Sequence, residues 1–261
     1  MLDSAIASID ERCTVHEKYA KATVWLVESG YLFHQTLRQH VYMASHPKYG
    51  RVIIKFASSL PGRYGLKQSA EFLYLHQSAY WPVVIDYGSA RQIDWLITPY
   101  FDGQALSSFY ANVSDACEPP ALEAAAFETV AFEVSEKPEN APSDHSIVWL
   151  NSVESAINEL HQCGYVHGDI KPDNILIDQY SNIQLIDFSS IAPVGAQLES
   201  LPFHFNSPGF TPKTKPQNPK YVTPKTDWFS VAATLSSLLK PSAQSSLLLP
   251  SRYQVLLEQG F

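Results

Sequence analysis

The chain has 261 residues, of which 45% are hydrophobic and 17% are charged, and its formal net charge is −8. This composition excludes a globally disordered protein, and the length is sufficient for one domain of two lobes. No apolar run approaches ~20 residues, so we expect no transmembrane helix. The three cysteines are far apart and no signal-peptide pattern is evident, which predicts a reducing, cytoplasmic location and leaves delivery into another cell open.

The first hundred residues predict mainly strands. Segments 22–30, 39–46 and 51–57 are rich in β-branched and aromatic residues, and 81–88 and 93–101 read in the same way. Between the third and fourth strands, residues 68–76 change to a helical spacing of apolar side chains. Together these segments predict a small α+β lobe of five strands and one helix.

The second half predicts mainly helices after an acidic insertion. Between residues 111 and 144 there are eight acidic residues and one lysine, so we place an insertion at about 111–145, with a short helix at 121–130 and a flexible linker. Apolar residues then recur at spacings of three and four over 147–160, and Gly164 follows as a C-terminal cap. A second helix is predicted over 227–239.

The segment YVHGDIKPDNILI, residues 165–177, predicts a catalytic loop because it concentrates polar groups before an apolar strand. Transfer of the γ-phosphoryl group of ATP needs a carboxylate near the acceptor hydroxyl, cations near the phosphates and oxygen ligands for magnesium. Asp169 can take the acceptor proton, and Lys171 can reach the migrating phosphate. Asn174 offers an amide oxygen to a metal ion. Asp187, thirteen residues later, offers carboxylate oxygens to the same ion.

The motif HGDIKPDN followed by IDFS resembles the catalytic and metal-binding loops of the eukaryotic-type protein kinases. Lys171 followed by Pro172 resembles the serine/threonine branch of that family. The resemblance implies a bilobal α+β fold with an N-lobe over 1–102 and a mainly helical C-lobe over 103–261. It also implies ATP and Mg²⁺ as cofactors and a protein substrate.

The same resemblance assigns roles outside the catalytic loop. Lys55, at the end of VIIK, would bind the α- and β-phosphates, and Glu71, sixteen residues later, would pair with it. LITPYFDG resembles the hinge that binds adenine, which makes Thr98 the gatekeeper and Phe101 a backbone contact. KTDWFSVAATL resembles a helix that begins with a buried aspartate, here Asp227, which holds the catalytic loop from behind.

Three positions near the site depart from the family pattern. The glycine-rich phosphate loop is predicted at 28–38, where Gly30 is the only glycine and the expected nucleotide contact. Ser189 replaces the last glycine of the DFG motif. Gly168 replaces an arginine that usually pairs with a phosphorylated activation segment, so we expect activity without that phosphorylation.

The end of the activation segment departs as well. Residues 211–213, Thr-Pro-Lys, stand where the family has Ala-Pro-Glu, and a short tail follows Leu239, so a shortened C-lobe is predicted. Residues 211–225 carry four lysines and no acid. This strip predicts an acidic peptide substrate or docking of the acidic insertion, although an ordinary solvated loop explains it equally well.

Two other functions stay open at this stage. The catalytic loop of aminoglycoside and related phosphotransferases also contains His-Gly-Asp, which leaves a small-molecule kinase as an alternative. The poor glycine-rich loop and Ser189 leave a pseudokinase scaffold as another. The charge distribution indicates no nucleic-acid partner, we expect no membrane partner, and the oligomeric state is open.

Overall fold

The computed structural model describes residues 13–115, 148–203, 207–212, 221–239 and 249–259. The helix predicted at 121–130 and its linker lie outside these ranges, as do Lys213, Lys215 and Lys220 of the lysine strip. The described residues form a five-stranded antiparallel sheet beside a mainly helical region. This mixture fits the bilobal kinase-like α+β fold and confirms the predicted fold class, while the lobe boundary near residue 102 stays a prediction.

The N-lobe sheet has the strand order β1-β2-β3-β5-β4. Its strands are β1 (Leu32–Arg38), β2 (Val41–His46), β3 (Gly50–Ala57), β4 (Asp86–Ala90) and β5 (Ile93–Pro99). Successive side chains of a strand point to opposite faces. In β3, Val52 and Ile54 are therefore buried in the core on one face, whereas Ile53 and Lys55 line the cleft on the other.

Among the described residues, the N-lobe contains two α-helices, α1 (Ala20–Glu28) and α2 (Leu60–Leu75), where one was predicted. The strand predicted at 22–30 is wrong, because this segment forms α1. Its β-branched residues favour a strand locally, but Ala22 and Leu26, four residues apart, are buried together against the sheet. Packing of this helical stripe outweighs local propensity.

Helix α2 begins eight residues earlier than the predicted start at residue 68. Ser59 caps it by accepting a hydrogen bond from the N–H of Gly62, and Pro61 lies in the first turn, where proline is tolerated. The sequence does not predict a helix start at Leu60, because the proline and glycine that follow it normally indicate a loop. Farther along, a Cβ on Gly65 would lie 2.9 Å from the carbonyl oxygen of Ser189, so glycine lets α2 pack closely on the loop after Asp187.

The C-lobe surrounds two short sheets that hold the polar loops. Its elements are α3 (Leu106–Asp115), α4 (Val148–Gln162), α5 (Lys225–Leu238), α6 (Ser251–Gln259), β6 (Gln104–Ala105), β7 (Tyr165–Val166), β8 (Ile175–Ile177), β9 (Ile183–Leu185) and β10 (Ala192–Pro193). Helices α4 and α5 confirm the two predicted from apolar spacing. Gly164, with φ of +83°, follows α4 and donates its N–H to His161. The catalytic-loop segment therefore runs between β7 and β8, and Asp187 follows β9.

A continuous apolar core joins α2 of the N-lobe to the C-lobe. Phe72 of α2 stacks on Phe188, and both belong to a cluster with residues of α4, α5, β8 and β9. A second cluster lies between α1 and the outer face of the sheet. Among the described residues, no helix combines the length and the apolar character needed to cross a bilayer.

Candidate active site

A cavity of about 390 Å³ lies between the N-lobe sheet and strands β8 and β9. Its walls are largely apolar and include Val41, Ile53, Leu96 and Leu176. Five residues predicted from the sequence line it: Lys55, Thr98, Phe101, Asn174 and Asp187. A concave, mainly apolar cavity with a few convergent polar groups is the usual form of a cofactor site.

The carboxylate of Asp169 lies at the centre of a hydrogen-bonded group. Lys171 Nζ is 2.7 Å from Oδ2, and the amide Nδ2 of Asn174 donates to the same oxygen over 3.0 Å. The hydroxyl of Ser207 donates to Oδ1 over 2.5 Å and accepts a hydrogen bond from Lys171 Nζ over 2.8 Å. Asp169 and Lys171 thus lie together as the sequence predicted, whereas Ser207 had been given no role.

Asp227 fixes the catalytic loop from behind, which confirms the role implied by the kinase resemblance. Its side chain is 0% exposed, and its carboxylate accepts hydrogen bonds from the N–H groups of His167 and Gly168. His161 Nε2 lies 2.9 Å from the same carboxylate. A buried carboxylate with this many partners determines the backbone path immediately before Asp169.

His167 is a neutral structural residue of the same loop. Burial lowers its pKa and outweighs the opposing effect of the nearby carboxylates of Asp227, Asp169 and Asp187. Both nitrogens of its ring have a backbone partner. Nε2 lies 3.2 Å from the carbonyl oxygen of Ile186, and Nδ1 lies 3.3 Å from the backbone nitrogen of Asp169. These partners assign the proton to Nε2 and make Nδ1 an acceptor.

Gly168 is required by the backbone at this point. Its φ is +77°, and a Cβ would lie 2.7 Å from the carbonyl oxygen of Ser190. Left-handed backbone and close approach both disfavour any side chain here. The absence of the family's arginine therefore has a local structural cause as well as the regulatory consequence expected from the sequence.

Asn174 and Asp187 fit a magnesium ion. The Oδ1 atom of Asn174 is buried and has no hydrogen-bond partner among the described residues, since Nδ2 makes the contacts with Asp169. Asp187 presents its carboxylate to the same cavity. An amide oxygen and a carboxylate are ligands that magnesium accepts alongside water and phosphate oxygens.

Asp187 is held ionised by Lys55. Lys55 Nζ lies 2.6 Å from Oδ1. Burial by itself raises the pKa of Asp187, but the Lys55 ammonium and then the Ser189 hydroxyl together hold it well below its usual range. Phe188, the next residue, is 1% exposed and packs on Phe72 and His167, so the loop that carries Asp187 is anchored in the core.

The predicted pairing of Glu71 with Lys55 is wrong. The side chain of Glu71 is 53% exposed, and its carboxylate lies near Lys67 and Gln68 of the same helix. The residues that α2 contributes to the cavity are Ser69 and Leu73. Glu71 follows Ser69 by two positions, about 200° around a helix, so it faces away from the cleft.

The nucleotide contact predicted for Gly30 is also wrong. Gly30 lies just after α1 with φ of +100° and donates its N–H to the carbonyl of Val27, away from the cavity. The segment predicted as a glycine-rich loop, 28–38, contains the whole of β1, in which Leu32 already pairs with Ser45. The connection from β1 to β2 is a turn of two residues, Gln39 and His40.

These contacts predict unequal effects of two substitutions. Glu71→Gln should change kcat/KM for ATP by less than about twofold, because surface groups of this kind contribute little. Lys55→Met should lower it by about 100-fold or more, since it removes the cation that the kinase resemblance assigns to the phosphates and leaves Asp187 without its partner. Steady-state kinetics of both variants check this. If Glu71→Gln lowered kcat/KM as much as Lys55→Met does, Glu71 would pair with Lys55 in the active enzyme, which would contradict its exposed position here.

Part of the chain is similar to known protein kinases. A family model described as protein kinase domain matches residues 121–246. Serine/threonine-protein kinase CHK1 of Saccharomyces cerevisiae is 32% identical over 125 residues, which are 46% of this chain and 23% of that protein. Maternal embryonic leucine zipper kinase of Xenopus tropicalis is 32% identical over 97 residues, 37% of this chain and 15% of that protein.

A shorter and more similar match is the myotonin-protein kinase of Homo sapiens, 46% identical over 52 residues, 20% of this chain and 8% of that protein. The matched region thus spans less than a quarter of each of these three relatives. Residues 121–246 are thus similar to the protein kinase domain, and the relatives that match parts of this chain are named as protein kinases.

Proposed function

We propose that the chain is an ATP- and Mg²⁺-dependent protein kinase that phosphorylates serine or threonine hydroxyls of a protein substrate. The observation that carries the proposal is the contact group around Asp169, in which Lys171 and Asn174 lie within hydrogen-bonding distance of one carboxylate. One of the reported relatives, CHK1 of Saccharomyces cerevisiae, is named as a serine/threonine-protein kinase, which supports the same specificity. The proposal includes the division into an N-lobe over 1–102 and a C-lobe over 103–261.

In this function each residue of the site has a distinct task. Asp169 accepts the proton of the acceptor hydroxyl, and Lys171 stabilises the charge on the transferred phosphate. Ser207 holds Asp169 and Lys171 in their relative positions through its two hydrogen bonds. Lys55 binds phosphates, while Thr98 and Phe101 line the adenine end of the cavity. Magnesium, held by Asn174 and Asp187, would offset the negative charge of the phosphates.

Activity without phosphorylation of the activation segment is part of the proposal. Gly168 supports it, because the residue before Asp169 carries no cation that could bind a phosphorylated side chain. The preference for an acidic substrate stays a prediction, since most of the lysine strip lies outside the described residues.

A second candidate function is nucleotide binding without transfer. Two observations favour it: Lys55 pairs directly with Asp187, and the turn from β1 to β2 contains no glycine. Both would make the phosphates harder to place for reaction. The residues around Asp169 oppose it, because a binding module needs none of their contacts.

The test is phosphoryl transfer from γ-labelled ATP with Mg²⁺. The full chain, phosphatase-treated or untreated, would be compared with Asp169→Asn and with Asp178→Asn, a control in the turn between β8 and β9. Acceptors would be generic protein substrates, the chain itself, sugars and aminoglycosides. We expect label on serine or threonine, lost in Asp169→Asn and retained in Asp178→Asn and after phosphatase treatment.

Each other outcome contradicts a stated part of the proposal. Label on a small molecule alone would replace it with a small-molecule phosphotransferase. Bound nucleotide without any transfer would favour the second candidate. Activity that disappears on phosphatase treatment would overturn independence from phosphorylation.

A further inference from the structure

The connection between β1 and β2 contains no glycine that would let its backbone approach the phosphates of a nucleotide closely. In the kinase pattern G-x-G-x-x-G-x-V, several glycines precede the valine of the second strand and let the backbone cover the phosphates. Here three residues, Arg38, Gln39 and His40, separate Leu37 from Val41, and both Leu37 and Val41 line the cavity. Without those glycines, a side chain is better suited than the backbone to contact the phosphates from this side.

Arg38 is placed to make that contact. It pairs with Val41 across β1 and β2, Val41 pairs with Lys55, and Lys55 pairs with Leu96. These four residues form one row across the sheet, and all of them line the cavity. Neighbouring strands are ~5 Å apart, so the backbones of Arg38 and Lys55 are separated by about 10 Å.

An irregularity in the strand accompanies this placement. The register between β1 and β2 shifts between Thr36 and Arg38. Such irregularities redirect side chains and occur often beside functional sites. Arg38 Nη2 reaches the carbonyl oxygen of Asp173, at 3.4 Å, across the mouth of the cleft. Asp173 directly precedes Asn174, so the guanidinium group extends from the Lys55 row toward the residues that fit the metal.

The partners of the positively charged side chains at the site also favour Arg38 as the phosphate contact. The two lysines of the candidate active site each pair with a carboxylate, Lys55 with Asp187 and Lys171 with Asp169. The contact of Arg38 is instead a long hydrogen bond to a neutral carbonyl oxygen in an exposed position. A guanidinium group exchanges such a contact readily for a charge-assisted and bidentate interaction with phosphate.

We propose that Arg38 binds the phosphate groups of the nucleotide and takes over, with a side chain, the task of the missing glycine-rich loop. This inference rests on the proposed ATP-dependent function. It assigns Arg38 to the phosphates and the apolar cavity walls to the adenine ring, so removal of Arg38 should affect nucleotides according to their phosphate content.

The experiment measures the binding of ATP, ADP and adenosine to the full chain by calorimetry. We expect Arg38→Ala to weaken ATP and ADP about tenfold, the size typical of a lost charged hydrogen bond, and to leave adenosine within about twofold. Arg38→Lys should recover part of the loss, because lysine keeps the charge but not the planar fork. Lys48→Ala removes a positive charge from the exposed β2–β3 turn and should change none of the three affinities.

The comparison separates this inference from the function on which it rests. Equal weakening of ATP and adenosine by Arg38→Ala would overturn the inference and assign Arg38 to the shape of the cleft. Unchanged ATP binding would overturn it as well. If the wild-type chain bound neither adenosine nor ATP, the proposed function itself would fail, whereas equal binding of the two by the wild type would overturn the inference alone. Thermal melting of Arg38→Ala near that of the wild type would verify that the variant is folded.

Discussion

Replacement of Asp227 by alanine should lower the free energy of unfolding by about 3–5 kcal/mol and abolish phosphoryl transfer. The reason is that three donors lose their acceptor in the interior: the N–H groups of His167 and Gly168 and the ring of His161. An unsatisfied buried donor costs about 1–3 kcal/mol. The backbone before Asp169 would lose the contacts that determine its path, so activity should fall even in the fraction that remains folded.

Chemical denaturation and the transfer assay measure both effects. Asp102→Ala is the matched control, because Asp102 pairs with Arg51 through a side chain that is 78% exposed. That change should cost less than about 0.5 kcal/mol. Asp227→Asn keeps an acceptor oxygen and should lie between the two. If Asp227→Ala lost no more stability than Asp102→Ala, Asp227 would not hold the loop.

The second large effect is expected at Gly168. Gly168→Ala should cost about 3 kcal/mol, because left-handed backbone costs about 1–2 kcal/mol for a residue with a Cβ and crowding against the Ser190 carbonyl adds a similar amount. Gly168→Arg, which would install the residue typical of the family, should cost at least as much. The arginine would therefore not confer control by phosphorylation without also weakening the fold.

Gly164 offers a close control for that experiment. Its φ is +83°, but nothing lies within 4 Å of a Cβ placed there. Gly164→Ala should therefore show the backbone cost alone, about 1–2 kcal/mol by denaturation. Equal losses for the two alanine variants would show that Ser190 yields to a Cβ and that backbone conformation alone accounts for Gly168.

The catalytic loop could be predicted because its residues are close in sequence. Asp169, Lys171 and Asn174 lie within six positions, and a short loop between two strands leaves little freedom in how they meet. Asp187 was recognised from the apolar strand before it. The sequence does not predict a role for Ser207, because that role depends on a hydrogen bond to Asp169, 38 positions away, which no local pattern encodes.

The errors lie where a face or a register had to be inferred. Spacing from Lys55 selected Glu71, but which face of α2 meets the cleft depends on tertiary packing, and that packing directs Ser69 inward. The predicted contact of Gly30 is wrong because the strand-like composition of α1 shifts the predicted first strand to before Gly30. Residues 22–30 have a strand-like composition, and the burial of Ala22 and Leu26 against the sheet made them a helix instead.

The ion pair between Lys55 and Asp187 has a consequence for how activity could be governed. In many kinases the pairing of the strand lysine with a helix glutamate is the step that regulators control by moving the helix. In this chain Lys55 takes its partner from the loop after β9, and Glu71 faces away from the cleft. Displacement of α2 would therefore break no salt bridge to Lys55, although it would break the one between Arg63 and Asp94. Phe72 of α2 stacks on Phe188, the residue after Asp187, so we expect displacement of α2 to reach Lys55 through Asp187 rather than through Glu71.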